Sequence, residues 1–344
     1  MGISRPRVCI LYTGGTIGMV PSDSGYIPAA NTLQQILEEL PELRHPEMPE
    51  WELVEFSPLL DSSDMAVKEW NQIGQAVAQL YDRFDGFVIL HGTDTMAYSA
   101  SALSFMLENL AKPVIFTGSQ IPLCRLRSDG RDNLVTALLI AASGRVREVC
   151  IYFNGVLLRG NRSTKRSSDQ LLAFESPNAP ALAHAGIQIQ YHSSALRPAP
   201  TEPFRFHPFL DVPVGVIKVF PGIQFELFEP IMTDRLKGVV LETFGAGNIP
   251  SARDSLLPII DKAYRSGTII AVCSQCPQGT VSLGAYAASK ALQEIGAVNG
   301  KDMTTEAALT KFYYLFSLGL PKEEMKTYME GDLRGELTEE DPIP

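Results

Sequence analysis

Apolar residues along this chain fall into two alternating rhythms. Short unbroken runs, Val8-Cys9-Ile10-Leu11-Tyr12, Phe87-Val88-Ile89-Leu90 and Val114-Ile115-Phe116, stop at turns rich in glycine and threonine. Runs of that length, β-branched or aromatic, predict buried strands over 8–12 and 86–90, and a strand and turn over 112–118. Between the runs the apolar spacing lengthens to three and four. Trp70, Ile73, Val77, Leu80, Tyr81 and Phe84 share one face of a helix drawn from Met65 to Phe84. Residues 96–110 and 132–143 read as further helices, and 148–153 as a further strand. This alternation predicts a parallel, doubly wound sheet covered by helices.

The rhythm breaks between Arg197 and Pro213. Pro198, Pro200, Pro203, Pro208 and Pro213 cannot join helix interiors or central strands. It resumes with strands near 214–220, 238–243 and 268–273 and helices near 284–296 and 305–318. The expected organisation is therefore an N-terminal α/β catalytic domain over 1–196, a proline-rich linker over 197–213 and a smaller C-terminal α/β domain over 214–344. The acidic tail from Thr338 is expected to fray.

Composition narrows the function classes. The 344 residues suffice for two ordinary cores, with 45% hydrophobic and 20% charged residues. A formal net charge of −10 argues against nucleic acid and anionic membrane as partners. No apolar stretch approaches the ~18 residues that span a bilayer. Thr13-Gly14-Gly15-Thr16 interrupts the apolar run that follows Arg5 and Arg7, so no secretory signal is expected, and Pro6 stands where a myristoylation signal needs Ser or Thr. Five cysteines without framework spacing suit a reducing compartment, so the expectation is a cytoplasmic protein. Cys273-Ser274-Gln275-Cys276 has redox spacing but no thioredoxin-like pattern around it. The five histidines lack metal-ligand spacing, so neither metal nor cofactor is expected.

Chemistry is suggested where the strands stop. Open α/β sheets bind ligands at the carboxyl ends of their strands. Gly14-Gly15-Thr16-Ile17-Gly18 misses the dinucleotide spacing. It is either a plain turn or a mobile loop that exposes the Thr16 hydroxyl, which becomes a nucleophile if its proton is removed. Asp94, after His91-Gly92-Thr93, is either a helix cap or a carboxylate holding a lysine. The lysine candidate is Lys165, in a polar, basic run that also reads as a solvated loop. A lysine withdrawn from water can accept a threonine proton. In Asp61-Ser62-Ser63-Asp64, Asp64 is the expected helix cap. That leaves the Ser62 and Ser63 hydroxyls and nearby N–H groups for a carboxylate ligand. Thr117-Gly118-Ser119-Gln120 repeats the strand-end theme without an acid and is placed behind these motifs.

The two threonine motifs, Thr13-Gly14-Gly15-Thr16-Ile17 and His91-Gly92-Thr93-Asp94-Thr95, resemble the signatures of bacterial-type L-asparaginases. Asp61-Ser62-Ser63-Asp64-Met65, Gly160-Asn161-Arg162 and Leu333-Arg334-Gly335-Glu336 make the chain most similar to the cytoplasmic type I branch, nearly end to end. The resemblance implies hydrolysis of L-asparagine to L-aspartate and ammonia through an acyl-threonine, with glutamine a poorer substrate. It makes Thr16 the nucleophile, Thr93, Asp94 and Lys165 the polar relay, and Tyr26 part of a loop closing over the site. Asp61, Ser62 and Ser63 would hold the substrate's α-carboxylate and Asp94 its α-ammonium. A homodimer or homotetramer is implied, with each site completed by a neighbouring subunit, for which Asn248 is the candidate contribution.

One departure stands out. Type I relatives with an activating asparagine site build it from an arginine and a Thr-Gln-Cys turn. Here Glu242 replaces the arginine and the turn reads Ser274-Gln275-Cys276, so weak or absent activation by substrate is expected. Two other readings compete: a non-catalytic amino-acid-binding protein on the same fold, and a transfer-RNA amidotransferase subunit. The presence of all the candidate catalytic residues opposes the first, and the acidic charge opposes the second.

Overall fold

The computed structural model describes residues 5–23, 25–28, 31–250 and 256–339. The chain forms two compact units, Met1–Pro208 and Phe209–Pro344. The division falls inside the proline-bearing stretch. Part of that stretch is ordered strand, since Arg205–Phe206 pairs with Leu107–Glu108.

The first unit is built on an eight-stranded sheet. Its strands are β1 (Arg7–Gly14), β2 (Glu50–Leu60), β3 (Gly86–Leu90), β4 (Val114–Thr117), β5 (Val149–Phe153), β6 (Val156–Arg159), β7 (Ala183–Ala185) and β8 (Ile189–Tyr191). Their order is β2-β1-β3-β4-β5-β6-β7-β8. β2 through β5 run parallel in that order, and β6, β7 and β8 each pair antiparallel with the strand before. The central strands β3, β4 and β5 are buried along their whole length, which is why they read as unbroken apolar runs. β2 escapes that reading because its glutamates alternate with apolar residues and it lies at the sheet's edge.

The helix expected over Met65–Phe84 is Val67–Leu80, with Val67, Trp70, Ile73, Gly74 and Val77 buried, followed by a short 3-10 turn over Tyr81–Arg83. The helix expected over 96–110 ends earlier, at Met106, because Leu107–Glu108 is drawn into the pairing with Arg205–Phe206. Gly130–Ala142 packs Leu134, Ala137, Leu138 and Ala141 into the core with Ile10, Val88 and Ile115.

The second unit carries a parallel sheet in the order β9 (Val214–Lys218), β10 (Gly238–Thr243), β11 (Ile269–Ser274) and β12 (Val298–Asn299). Ile217, Val239, Leu241, Ile270 and Val272 pack against Leu256, Ile259, Ile260 and Leu292 of its helices. Thr338, where fraying was expected, donates two hydrogen bonds to the Asp302 carboxylate. Residues 340–344 lie outside the described residues. No helix among the described residues is long and apolar enough to cross a membrane.

Candidate active site

Parallel pairing of β1 with β3 sets Tyr12 opposite Leu90, so their two turns emerge side by side. Thr13 fastens them by donating to the Leu90 carbonyl at 2.9 Å. Gly15 follows with φ +93°, and an added Cβ there would stand 2.5 Å from the Gly92 nitrogen. Only glycine allows both the left-handed backbone and that approach. A Cβ at Gly92 would strike the Ser62 side chain, and Thr95 Oγ1 donates to the Ser62 carbonyl at 2.6 Å. The ends of β1, β2 and β3 thus share one crevice.

Thr16 starts the 3-10 turn Thr16–Gly18 and is half-buried. Its hydroxyl makes no hydrogen bond with another described residue. Lys165 lies in a short strand pair, Thr164–Lys165 against Phe174–Glu175, rather than in a solvated loop. Its Nζ donates to Thr93 Oγ1 at 2.9 Å and to Asp94 Oδ1 at 2.7 Å. The lysine side chain is 19% exposed and the Asp94 carboxylate 69%, so the pair runs from the protein into the open crevice. Thr93, with its oxygen accepting from Lys165, directs its own hydrogen to Gln120 Oε1 at 3.3 Å.

The other expected residues divide. Asp61, not Asp64, caps the 3-10 turn Ser62–Asp64, its carboxylate accepting from the Ser63 N–H at 2.9 Å. The helix after it, Val67–Leu80, has Ala66 as its N-cap, with the Ala66 N–H donating to the Glu69 carboxylate, so Asp64 has no cap to fill. Ser62 is buried against Gly92 and Ser63 is exposed. Tyr26 sits on the hairpin Met19–Ser22/Gly25–Pro28, opposite Pro21, with its ring exposed and no hydrogen bond to Thr16 or Thr93.

Asn248, Glu242, Ser274 and Cys276 belong to the second unit. Asn248 closes a tight turn through reciprocal backbone bonds with Phe244. Glu242 accepts from the Thr305 hydroxyl at 2.6 Å and lies 4.0 Å from Lys218 Nζ. Ser274 Oγ accepts from the Cys276 N–H. Burial and the Glu242 charge push the Cys273 thiol up to about 12, which leaves it poorly suited to thiolate chemistry. Among the described residues no three metal-ligating side chains cluster.

Gln120 was undervalued by the sequence. It touches Thr93, donates to the Gln170 carbonyl at 3.1 Å and is held by the Asp129 carboxylate through its own N–H. Its place in a third strand-end turn was the available signal. His91 was read only as part of a motif. It is buried, and burial lowers its pKa to about 4.

Residues 7–197 match the family model described as the asparaginase N-terminal domain, and residues 213–329 match that of the glutaminase/asparaginase C-terminal domain. The chain belongs to the asparaginase family. Within it, the chain is 45% identical to L-asparaginase 1 of Escherichia coli K12 over 339 residues, covering 98% of this chain and 100% of the relative. The crystal structure of L-asparaginase I from Vibrio cholerae superposes with a TM-score of 0.90 at 46% identity, covering 97% of this chain and 99% of that one. The thermostable L-asparaginase of Thermococcus kodakarensis gives a TM-score of 0.89 at 32% identity, over 97% and 100%. The α/β architecture of this asparaginase, with a larger N-terminal sheet and a smaller second one, agrees with the expectation from its alternating pattern.

Proposed function

We propose that this chain hydrolyses L-asparagine to L-aspartate and ammonia through an acyl-threonine intermediate. The observation that carries the reading is the bonding of Lys165 to both Thr93 and Asp94, in a crevice where the Thr16 turn rests on Gly92. Family membership supplies the substrate class, since the similar chains above are L-asparaginases.

In this reading Thr16 Oγ attacks the side-chain amide carbon. Its proton passes to the Thr93–Lys165 pair and on to the departing amine, which leaves as ammonia. The carbonyl π electrons move onto oxygen, and N–H donors of the Gly92–Thr93 turn meet the charge. Water then cleaves the ester by the same path in reverse. Asp94 receives the α-ammonium, and the Asp61-Ser62-Ser63 turn the α-carboxylate, through hydroxyl and N–H groups. Tyr26 closes over the substrate on its hairpin.

The same reading makes the protein a cytoplasmic homo-oligomer, dimer or tetramer, with the Asn248 turn of a neighbouring copy completing each site. All five cysteines are free, which suits that compartment. Glu242 is already engaged by Thr305 and would repel an effector's carboxylate, so substrate should not activate. The test is ammonia release by the purified protein: L-asparagine is expected to be turned over, with L-glutamine slower. Binding of L-asparagine without ammonia release would favour the amino-acid-binding alternative instead.

A further inference from the structure

A buried line of three polar side chains runs into the turn that carries Thr93. Trp70, on helix Val67–Leu80, donates its indole N–H to Ser99 Oγ at 3.1 Å. Ser99, on helix Met96–Met106, lies 2.9 Å from His91 Nε2, and His91 Nδ1 lies 2.7 Å from the Gly92 carbonyl oxygen. All three side chains are buried.

Their proton positions follow from the chemistry of the partners. A carbonyl only accepts, so Nδ1 carries the imidazole hydrogen. A neutral ring leaves Nε2 as an acceptor, so Ser99 donates to it. An indole N–H only donates, and it takes the remaining side of the Ser99 oxygen. Each group has one assigned direction. The lowered pKa of His91 agrees with a ring that stays neutral at ordinary pH.

The line ends on backbone, not on Lys165 or the Thr93 hydroxyl. In a trans peptide the C=O and N–H point in opposite directions, and the Gly92–Thr93 peptide is trans. Holding the Gly92 oxygen toward His91, on the core side, turns the Thr93 N–H outward. That N–H makes no hydrogen bond with a described residue.

We propose that His91 is a positioning residue: the Trp70–Ser99–His91 line fixes the Gly92–Thr93 peptide so that the Thr93 N–H meets the oxyanion formed on an attacked carboxamide. This rests on the reading of the site as an amidohydrolase. No proton travels along the line. Its contribution grows as charge develops, so it belongs to the transition state more than to bound substrate.

The test is steady-state ammonia release by the full chain and by His91→Phe, His91→Asn and Ser99→Ala, with L-aspartate affinity measured for each. His91→Phe keeps a flat ring without a donor. It should lower kcat by about tenfold to a hundredfold, with KM and aspartate affinity within about threefold. His91→Asn, whose amide can reach the same carbonyl, should recover most of that loss. Unchanged kcat in His91→Phe overturns the proposal, as does an equal loss in His91→Asn or a parallel loss of aspartate affinity. Should His91→Phe not fold, Ser99→Ala decides. It removes the hydroxyl that holds Nε2 and so loosens the ring that anchors the Gly92 carbonyl; kcat should fall at constant KM, and an unchanged kcat again overturns the proposal. Failure of the wider reading looks different, because the wild-type chain would then release no ammonia at all.

Discussion

The two units end their parallel strands in similar ways and put the result to different use. In the second unit the strand-end hydroxyls are committed. Thr243 donates to the Cys273 carbonyl, and Ser274 accepts from the Cys276 N–H. In the first unit Thr13 is committed in the same manner, to Leu90, yet three residues later the Thr16 hydroxyl has no hydrogen-bond partner among the described residues. Thr93 is bonded to a lysine rather than to backbone. A parallel sheet's carboxyl edge supplies hydroxyls in both units. The first unit's edge differs in keeping one threonine hydroxyl unbonded among the described residues and another bonded to a lysine.

That contrast can be broken severely at Lys165. Lys165→Met removes the amine and leaves an aliphatic side chain, so it should cost about 100- to 1000-fold in kcat with KM within about threefold. Steady-state ammonia release measures it, and a change confined to KM would leave Lys165 a substrate-holding role only.

A smaller effect concerns stability. Burial lowers the His91 pKa from 6.5 to about 4, so the folded chain binds that proton less readily than the unfolded chain does. The group's contribution is complete above pH 6.5 and is lost as pH falls toward 4, by roughly 1.4 kcal/mol per unit. Urea unfolding at pH 7 and pH 5 should therefore differ by about 2 kcal/mol more in the wild type than in His91→Asn. Equal differences in the two proteins would contradict a neutral buried imidazole.

The smallest effect belongs to the second unit. With Glu242 held by Thr305, rate against asparagine concentration should be hyperbolic, and Cys276→Ala should change kcat by less than about twofold. Sigmoidal kinetics abolished by Cys276→Ala would restore an activating site there.

Much of this was legible in the sequence. Central strands read as apolar runs because both of their faces are covered, and the Gly-Thr turns marked where they stop. The edge strand Glu50–Leu60 was not legible, because glutamates alternate through it. Nor was the capping role of Asp61, since two acids three residues apart compete for one turn and local spacing does not choose between them. The Lys165 contact spans 72 residues to Thr93. It depends on a two-residue strand pair that no periodicity announces. The contacts of Gln120 with Thr93 and of His91 with Ser99 join different elements, so they needed coordinates.

Thr16 is the point on which the contrast between the two edges turns. Ammonia release should be compared in Thr16→Ala and Thr243→Ala, two hydroxyl deletions at strand ends of the two units. The account predicts that Thr16→Ala loses activity by several orders of magnitude while still binding L-aspartate, and that Thr243→Ala stays within about threefold of the wild type. Substantial turnover by Thr16→Ala would contradict it.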